Sequence, residues 1–144
     1  MSAREFVGTN ILISAFDRTA GEKRPLAATL IERLWEEHAG CVSIQVLQEF
    51  YVTATRKLAM PSADAAHQVE RLGRWVVHRP AFEDVLSAIE LHQLRRISFW
   101  DAMVLTSALK LGCPVLWSED LSGGQHWGPL VVRNPFTPVR RTPR

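Results

Sequence analysis

Three acidic positions in the 144-residue chain have the surroundings of working carboxylates. Asp101 ends the run Ser98-Phe99-Trp100-Asp101, where a serine three residues ahead of an acid marks a helix start with Ser98 as N-cap. Glu49 lies in Val46-Leu47-Gln48-Glu49-Phe50-Tyr51, one turn into an expected helix. Taken alone it reads as a solvated glutamate paired at helical spacing, with Thr53 as partner. Glu119-Asp120 follows an apolar run directly, and alone such a pair beside Gly123-Gly124 reads as a turn. Together the acids point elsewhere. Clustered carboxylates repel one another, so a fold gathers them at a strand edge for a cation or for chemistry. Mg²⁺ takes oxygen ligands, keeps several waters and is held through one or two carboxylates plus substrate phosphate. The reaction that suits such a site is phosphodiester hydrolysis, in which the metal polarises the phosphoryl group and activates water. Gly123-Gly124 is too short to be a phosphate-cradling loop.

The elements that must position these acids alternate short apolar runs with longer helical ones. Phe6-Val7 reads as a first strand, Thr9 and Asn10 as N-cap residues, and Ile11 to Phe16 as a short helix. After a charged loop, Pro25 opens a helix in which Leu26, Leu30, Ile31 and Leu34 recur until Gly40 stops it. Cys41 to Ser43 is a second strand, followed by a helix from Gln45 to Leu58 and another from about Ala63 to Arg74. Trp75 to Val77 reads as a third strand, and Phe82 to Arg95 as a helix with Val85, Leu86, Ile89 and Leu94 turned inward. The helix capped by Ser98 ends at Gly112, a C′ glycine. Pro114 to Trp117 and Leu130 to Val132 supply strands four and five. Short, continuously apolar strands separated by helical crossovers predict a three-layer α/β/α domain with a mainly parallel sheet. Ligands of such sheets gather at the carboxyl ends of the strands. Residues 8–10, the starts of the helices holding Glu49 and Asp101, and residues 118–120 are therefore the positions for a site. One domain over 1–136 and a frayed basic tail over 137–144 are expected.

Apolar residues make up 47% of the chain and charged residues 22%, which excludes wholesale disorder. A net charge of +2 neither demands nor excludes nucleic acid. Cys41 and Cys113, without CxxC spacing, are expected as buried free thiols. The N-terminus lacks a signal-peptide pattern and no apolar run would cross a membrane, so a soluble, cytoplasmic protein is expected. Arg18, Lys23 and Arg24, Arg56-Lys57 down the Glu49 helix, and Arg95-Arg96 ahead of the Asp101 helix are basic residues available to RNA phosphates. Trp100, Trp117 and Trp127 have rings able to stack bases, although apolar neighbours assign at least the first two to the core. The apolar faces of residues 26–34 and 63–72 suit a partner segment, a second subunit or plain core packing.

Four segments, Phe6-Val7-Gly8-Thr9-Asn10-Ile11-Leu12, Gln48-Glu49-Phe50-Tyr51, Phe99-Trp100-Asp101-Ala102 and Leu116-Trp117-Ser118-Glu119-Asp120-Leu121, resemble in order and spacing the motifs of PIN domains. The likeness is nearest to the VapC-type toxins of bacterial toxin–antitoxin pairs and runs through Arg133-Asn134-Pro135-Phe136. It implies a homodimeric endoribonuclease dependent on Mg²⁺ or Mn²⁺, acting on structured RNA such as tRNA and silenced by an antitoxin. By the same likeness Glu49, Asp101 and Asp120 fall on acidic, metal-holding site positions, and Asn10 and Ser118 on polar supporting ones.

One position departs from the pattern. The family's first acid precedes the Thr-Asn pair, and here that residue is Gly8. Asp17 lies two helical turns away, and Glu5 is expected at the opposite end of the strand. Three explanations stand open: an acid lost because an active toxin harms the cells producing it, a naturally degenerate member that binds its partner without cutting, or a site working with three acids. A plain turn glycine at positive φ is compatible with all three. The alternative function is therefore a non-cutting module that binds antitoxin or RNA. A phospho-receiver domain is set aside, because His78-Arg79-Pro80, and no acceptor aspartate, follows the third strand.

Overall fold

The computed structural model describes residues 3–121 and 124–137; the expected basic tail lies, beyond Thr137, outside the described residues. Twelve elements are described: β1 (Glu5–Val7), α1 (Thr9–Phe16), α2 (Lys23–Glu36), β2 (Gly40–Ser43), α3 (Ile44–Arg56), α4 (Ser62–Leu72), β3 (Val76–His78), α5 (Phe82–Arg95), α6 (Phe99–Lys110), β4 (Val115–Trp117), β5 (His126–Trp127) and β6 (Leu130–Arg133). The strands form one sheet in the order β3-β2-β1-β4-β6-β5. All neighbours are parallel except β5 and β6. Helices flank it, α1 packing on α2 and α3, α3 on α4, and α5 on α6. The expected layered α/β fold is the one observed.

Burial explains why β1 is central. Phe6 and Val7 are fully buried, as are Cys41 and Val42 of β2 and Leu116 of β4. Strands buried on both faces carry no polar alternation, which is why their runs read as continuously apolar. Both cysteines are buried free thiols, as expected. Gly112 has φ +71 and ends α6 as anticipated. No helix among the described residues is long and apolar enough to cross a membrane.

Several expectations need correction. Thr9 and Asn10 are not caps: Gly8 takes that place with extended φ and ψ, and both residues lie inside α1. Gly40 does not stop α2, which ends at Glu36 with His38 in the left-handed region. Gly40 instead starts β2, where a Cβ would fall 2.4–2.6 Å from three ring atoms of Trp75. That indole is buried and leans on Trp35 with ring centroids 5.5 Å apart, so it has little room to retreat. Gly40→Ala is expected to destabilise the fold by about 1–3 kcal/mol through overpacking, read as a fall of roughly 3–10 °C in the melting temperature. An unchanged melting temperature would show that Trp75 moves freely. The strand β5 was not anticipated, because two residues are too few for alternation to show. Leu86, Ile89 and Leu94 of α5 are exposed rather than turned inward, and Leu26 of α2 is exposed as well.

Behind the sheet edge, a buried polar network ties α5 and α6 to β3. His78 Nδ1 lies 2.8 Å from Ser107 Oγ, and its Nε2 lies 3.5 Å from Asp84 Oδ2. Asp84 also accepts from the Ala81 amide at 2.8 Å and faces Lys110 at 3.6 Å. The order hydroxyl, imidazole, carboxylate is that of a nucleophilic triad, yet Ser107 is 1% exposed, so no substrate reaches it. The network is structural. Burial pulls the His78 pKa below its ordinary value and outweighs the pull of Asp84 in the other direction. A depressed histidine pKa means that the unfolded chain binds more protons. Stability contributed by neutral His78 is therefore present above about pH 6.5 and is lost as pH falls through that value toward the folded pKa. Melting temperatures of the chain are expected to fall over this range more steeply than those of His78→Gln. Parallel curves would remove His78 as the cause.

Candidate metal-binding active site

The register of β1 and β4 builds the site. Val7 pairs with Trp117, and the Gly8 amide donates to the Trp117 carbonyl at 2.9 Å. Residues 8 and 118 therefore leave the sheet side by side. The chain runs outward from β1 through β2 to β3, then returns to place β4 on the other side of β1. This is the point where the strand order reverses, and a crevice opens there between diverging connections.

That crevice is a pocket of about 90 Å³, lined by Gly8, Thr9, Asn10, Gln45, Glu49, Trp100, Asp101, Val104, Ser118, Asp120 and Leu121. Asn10, Glu49, Asp101, Ser118 and Asp120, the site residues expected from the sequence, lie on its wall, whereas Glu119 lines the neighbouring cleft. At ~30 Å³ per water in the liquid, its volume matches a small ion with a few waters. It adjoins a wider cleft of about 640 Å³ that shares Thr9, Asn10, Glu49 and Asp120 and extends between α1 and α3 to Lys57.

Each side chain is set by its element. Ser43 caps α3 by accepting from the Val46 amide at 3.2 Å, which aims the first turns of α3 at the crevice. Glu49 accepts from Thr9 Oγ1 at 3.0 Å and lies 3.4 Å from Gln45 Nε2; these, rather than Thr53, are its partners. Ser98 caps α6 by accepting from the Asp101 amide at 3.0 Å, as the sequence predicted. Ser118 is buried and accepts from the Asp120 amide at 3.3 Å. Asn10 Oδ1 accepts from the Glu119 amide at 3.5 Å, joining α1 to the loop after β4. Burial raises the Asp101 pKa first, the Asp120 charge raises it further, and the Ser98 hydrogen bond opposes both.

The sequence did not single out Gln45, and it placed Thr9 in the 8–10 segment without its role as a partner of Glu49. Thr9 had been assigned to a cap, and Gln45 stands four residues ahead of Glu49, a helical spacing that goes unnoticed until α3 faces α6. Gln45 Nε2 also donates to the Trp100 carbonyl at 3.2 Å, whereas its Oε1 is buried without a hydrogen-bond partner. Glu5 is the first residue of β1 rather than preceding it, and stands at the end of the strand away from the pocket, as expected. There it accepts from Trp117 Nε1 at 2.7 Å and from both terminal nitrogens of Arg33.

Gly8 is not a turn glycine. Its φ of −77° and ψ of 163° suit any residue. A Cβ there would lie 3.2 Å from the Trp117 carbonyl oxygen and 3.8 Å from both Asn10 Oδ1 and Ser118 Cβ. A side chain at this position requires the Trp117 carbonyl to give by a few tenths of an ångström.

The donors suit a hard cation in kind: all are oxygens, and among the described residues no lysine or arginine pairs with Glu49, Asp101 or Asp120. The orphaned Gln45 Oε1 on the same wall is a further oxygen awaiting a partner. Yet among the described residues no three acids converge tightly enough to enclose one ion. The basic residues named from the sequence do not line the pocket. Lys23 pairs with Glu119 and lies 5.4 Å from the centre of the Phe136 ring. Arg95 covers buried Trp127 at 4.1 Å, Arg18 and Arg24 line a separate cavity, and Arg96 is exposed at the end of α5.

Solved structures share the fold, three of them as follows. VapC20 of Mycobacterium tuberculosis, a sarcin–ricin loop cleaving toxin, matches with a TM-score of 0.63 at 24% identity, over 81% of this chain and 89% of that one. A toxin–antitoxin complex from Klebsiella pneumoniae matches with a TM-score of 0.69 at 20% identity, over 94% and 98%. VapBC2 of Rickettsia felis, bound to a DNA fragment from its promoter, matches with a TM-score of 0.64 at 16% identity, over 90% and 97%. No curated protein matches in sequence. The PIN domain family model matches residues 6–122, a span that contains every residue of the pocket, and the chain belongs to that family.

Proposed function

We propose that this chain is the toxin of a VapBC-type toxin–antitoxin pair, built as a Mg²⁺- or Mn²⁺-dependent endoribonuclease and disabled or weakened by Gly8. The observation that carries the reading is the single pocket at the β1–β4 switch point, walled by Asn10, Glu49, Asp101, Ser118 and Asp120 together with Gly8. Asp101, Glu49 and Asp120 would hold the metal. When bound, it supplies charge to the scissile phosphate and an activated water. Thr9 and Gln45 orient the Glu49 carboxylate. Ser118 and Asn10 fix the loop that carries Asp120. The wide cleft alongside gives a polynucleotide strand access to the acids.

The partner is an antitoxin, a reading supported by a toxin–antitoxin complex and a VapBC assembly of the same fold. A groove of about 410 Å³ between α1, α2 and α4, with Phe16, Ile31, Trp35 and Leu72 on its walls, suits an apolar antitoxin segment. A homodimer is supported by α5, where Phe82, Leu86 and Ile89 stand exposed on successive turns. The alternative, a non-cutting module that binds antitoxin or RNA, is favoured by one observation, the unclosed set of acids. Cleavage of structured RNA such as tRNA in Mg²⁺ or Mn²⁺, by the chain and by Gly8→Asp, tests both. Cleavage gained by Gly8→Asp supports a disabled nuclease. No cleavage by either, with antitoxin bound, establishes the module.

A further inference from the structure

Of the five tryptophans, Trp100 alone is exposed, at 61% of its surface. Its apolar neighbours in the sequence assigned it to the core, and the fold instead presents it on the wall of the acidic pocket, immediately before Asp101. An indole left in water forgoes the burial that the other four obtain, so its exposure asks for a ligand.

The ring is also held. Phe99 meets it edge-on, with centroids 5.1 Å apart and planes at 72°. Gln45, itself 9% exposed, donates to the Trp100 carbonyl at 3.2 Å and lies 3.4 Å from the Glu49 carboxylate. One buried amide thus ties the backbone under the indole to an acid of the candidate site. Among the described residues cations cover the rings of Phe136, Trp35 and Trp127, and none covers Trp100. The residue that carries this open ring thus lines a pocket whose oxygens suit a phosphate-bound cation.

We infer that Trp100 is a nucleobase subsite, on which an unpaired base next to the scissile phosphate stacks. This deepens the nuclease reading and rests on it. A base within a duplex is already stacked on both faces, so the platform selects single-stranded or looped RNA. Every base has a π face, so the selection is for unpairedness rather than for sequence.

The test is binding by the chain as it stands, in Mg²⁺, of a fluorescein-labelled unstructured single-stranded RNA whose integrity is checked on a gel. A duplex of the same sequence and an abasic oligonucleotide serve as comparison probes. Trp100→Ala is expected to weaken single-strand binding about tenfold or more, and Trp100→Phe to retain most of it. The salt dependence of binding should keep its slope, because no phosphate contact is removed. The abasic and duplex probes should not distinguish the chain from Trp100→Ala. Equal single-strand binding by the chain and Trp100→Ala overturns the inference while leaving the nuclease reading intact. So does a change in oligomeric state with Trp100→Ala, since the ring would then serve a protein contact. If the chain binds no RNA at all, the nuclease reading falls and the subsite with it.

Discussion

Gly8→Asp is expected to produce metal-dependent RNA cleavage at least 10–100-fold above that of the chain as it stands, the range that loss of even an indirect metal-site partner costs. Three features make the change tolerable and effective. The backbone at residue 8 is extended, so aspartate adopts it without strain. A Cβ there makes one close approach, 3.2 Å to the Trp117 carbonyl, which has to give by only a few tenths of an ångström. Its carboxylate would enter a pocket whose acids do not yet close around an ion. The same substitution carries a stability signature of opposite sign. A further carboxylate among Glu49, Asp101 and Asp120 adds repulsion, so the metal-free variant should melt below the parent chain. Mg²⁺ or Mn²⁺ should then raise its melting temperature more than that of the parent; a ligand at a hundred times its Kd stabilises by about 2.7 kcal/mol. A Gly8→Asp variant that melted higher than the parent without divalent metal would show that the acids do not repel one another. Absence of both cleavage and metal-induced stabilisation would remove the metal site itself.

Asp101→Asn should have the converse pair of effects. Burial and the Asp120 charge raise the pKa of Asp101, so its ionised form is costly in the metal-free fold. A raised carboxylate pKa means that the native state holds its proton more tightly than the unfolded chain. Stability contributed by protonated Asp101 is therefore greatest below the unfolded value of about 3.9 and declines as pH rises through the folded pKa. Asparagine removes that decline, and the metal-free variant should melt above the parent at neutral pH. In the Gly8→Asp background the same change should lower cleavage at least 10–100-fold and diminish the stabilisation by Mg²⁺. Ser98 caps through its hydroxyl oxygen and the residue-101 amide, which asparagine keeps, so α6 should retain its start. Unchanged cleavage and metal response would place the ion elsewhere. The two substitutions together separate a missing ligand from a misplaced site, because each reports metal binding independently of turnover.

The extent to which the site was legible in sequence follows from the range of the interactions concerned. The Ser98 cap and Asp101 were readable because cap and acid are three residues apart, and a capping serine needs only its own helix. The sheet was readable in outline because doubly buried strands are apolar throughout. Where the apolar residues of α5 would face was not, since periodicity reveals an apolar stripe without revealing whether anything covers it. Leu86 and Ile89 are exposed for that reason. Gly40 illustrates the same limit. As a helix stop it fitted the local rule, but its reason is an indole thirty-five positions on.

By itself the sequence determined the order of the helices and of every strand but β5, the chemical character of the strand ends, and the absence of a side chain at position 8. These are properties of neighbours along the chain, set by periodicity, capping and residue type. Only the tertiary structure decided that β4 lies beside β1, which brings residues 8 and 118 together across 110 positions. It also decided that Glu49 is held by Thr9 and Gln45, that a Cβ at position 8 would meet the Trp117 carbonyl, and that Trp100 is exposed on the pocket's lining rather than in the core. Each of these depends on which buried surfaces pack against one another, and packing is a property of the whole sheet with its flanking helices, not of any one segment.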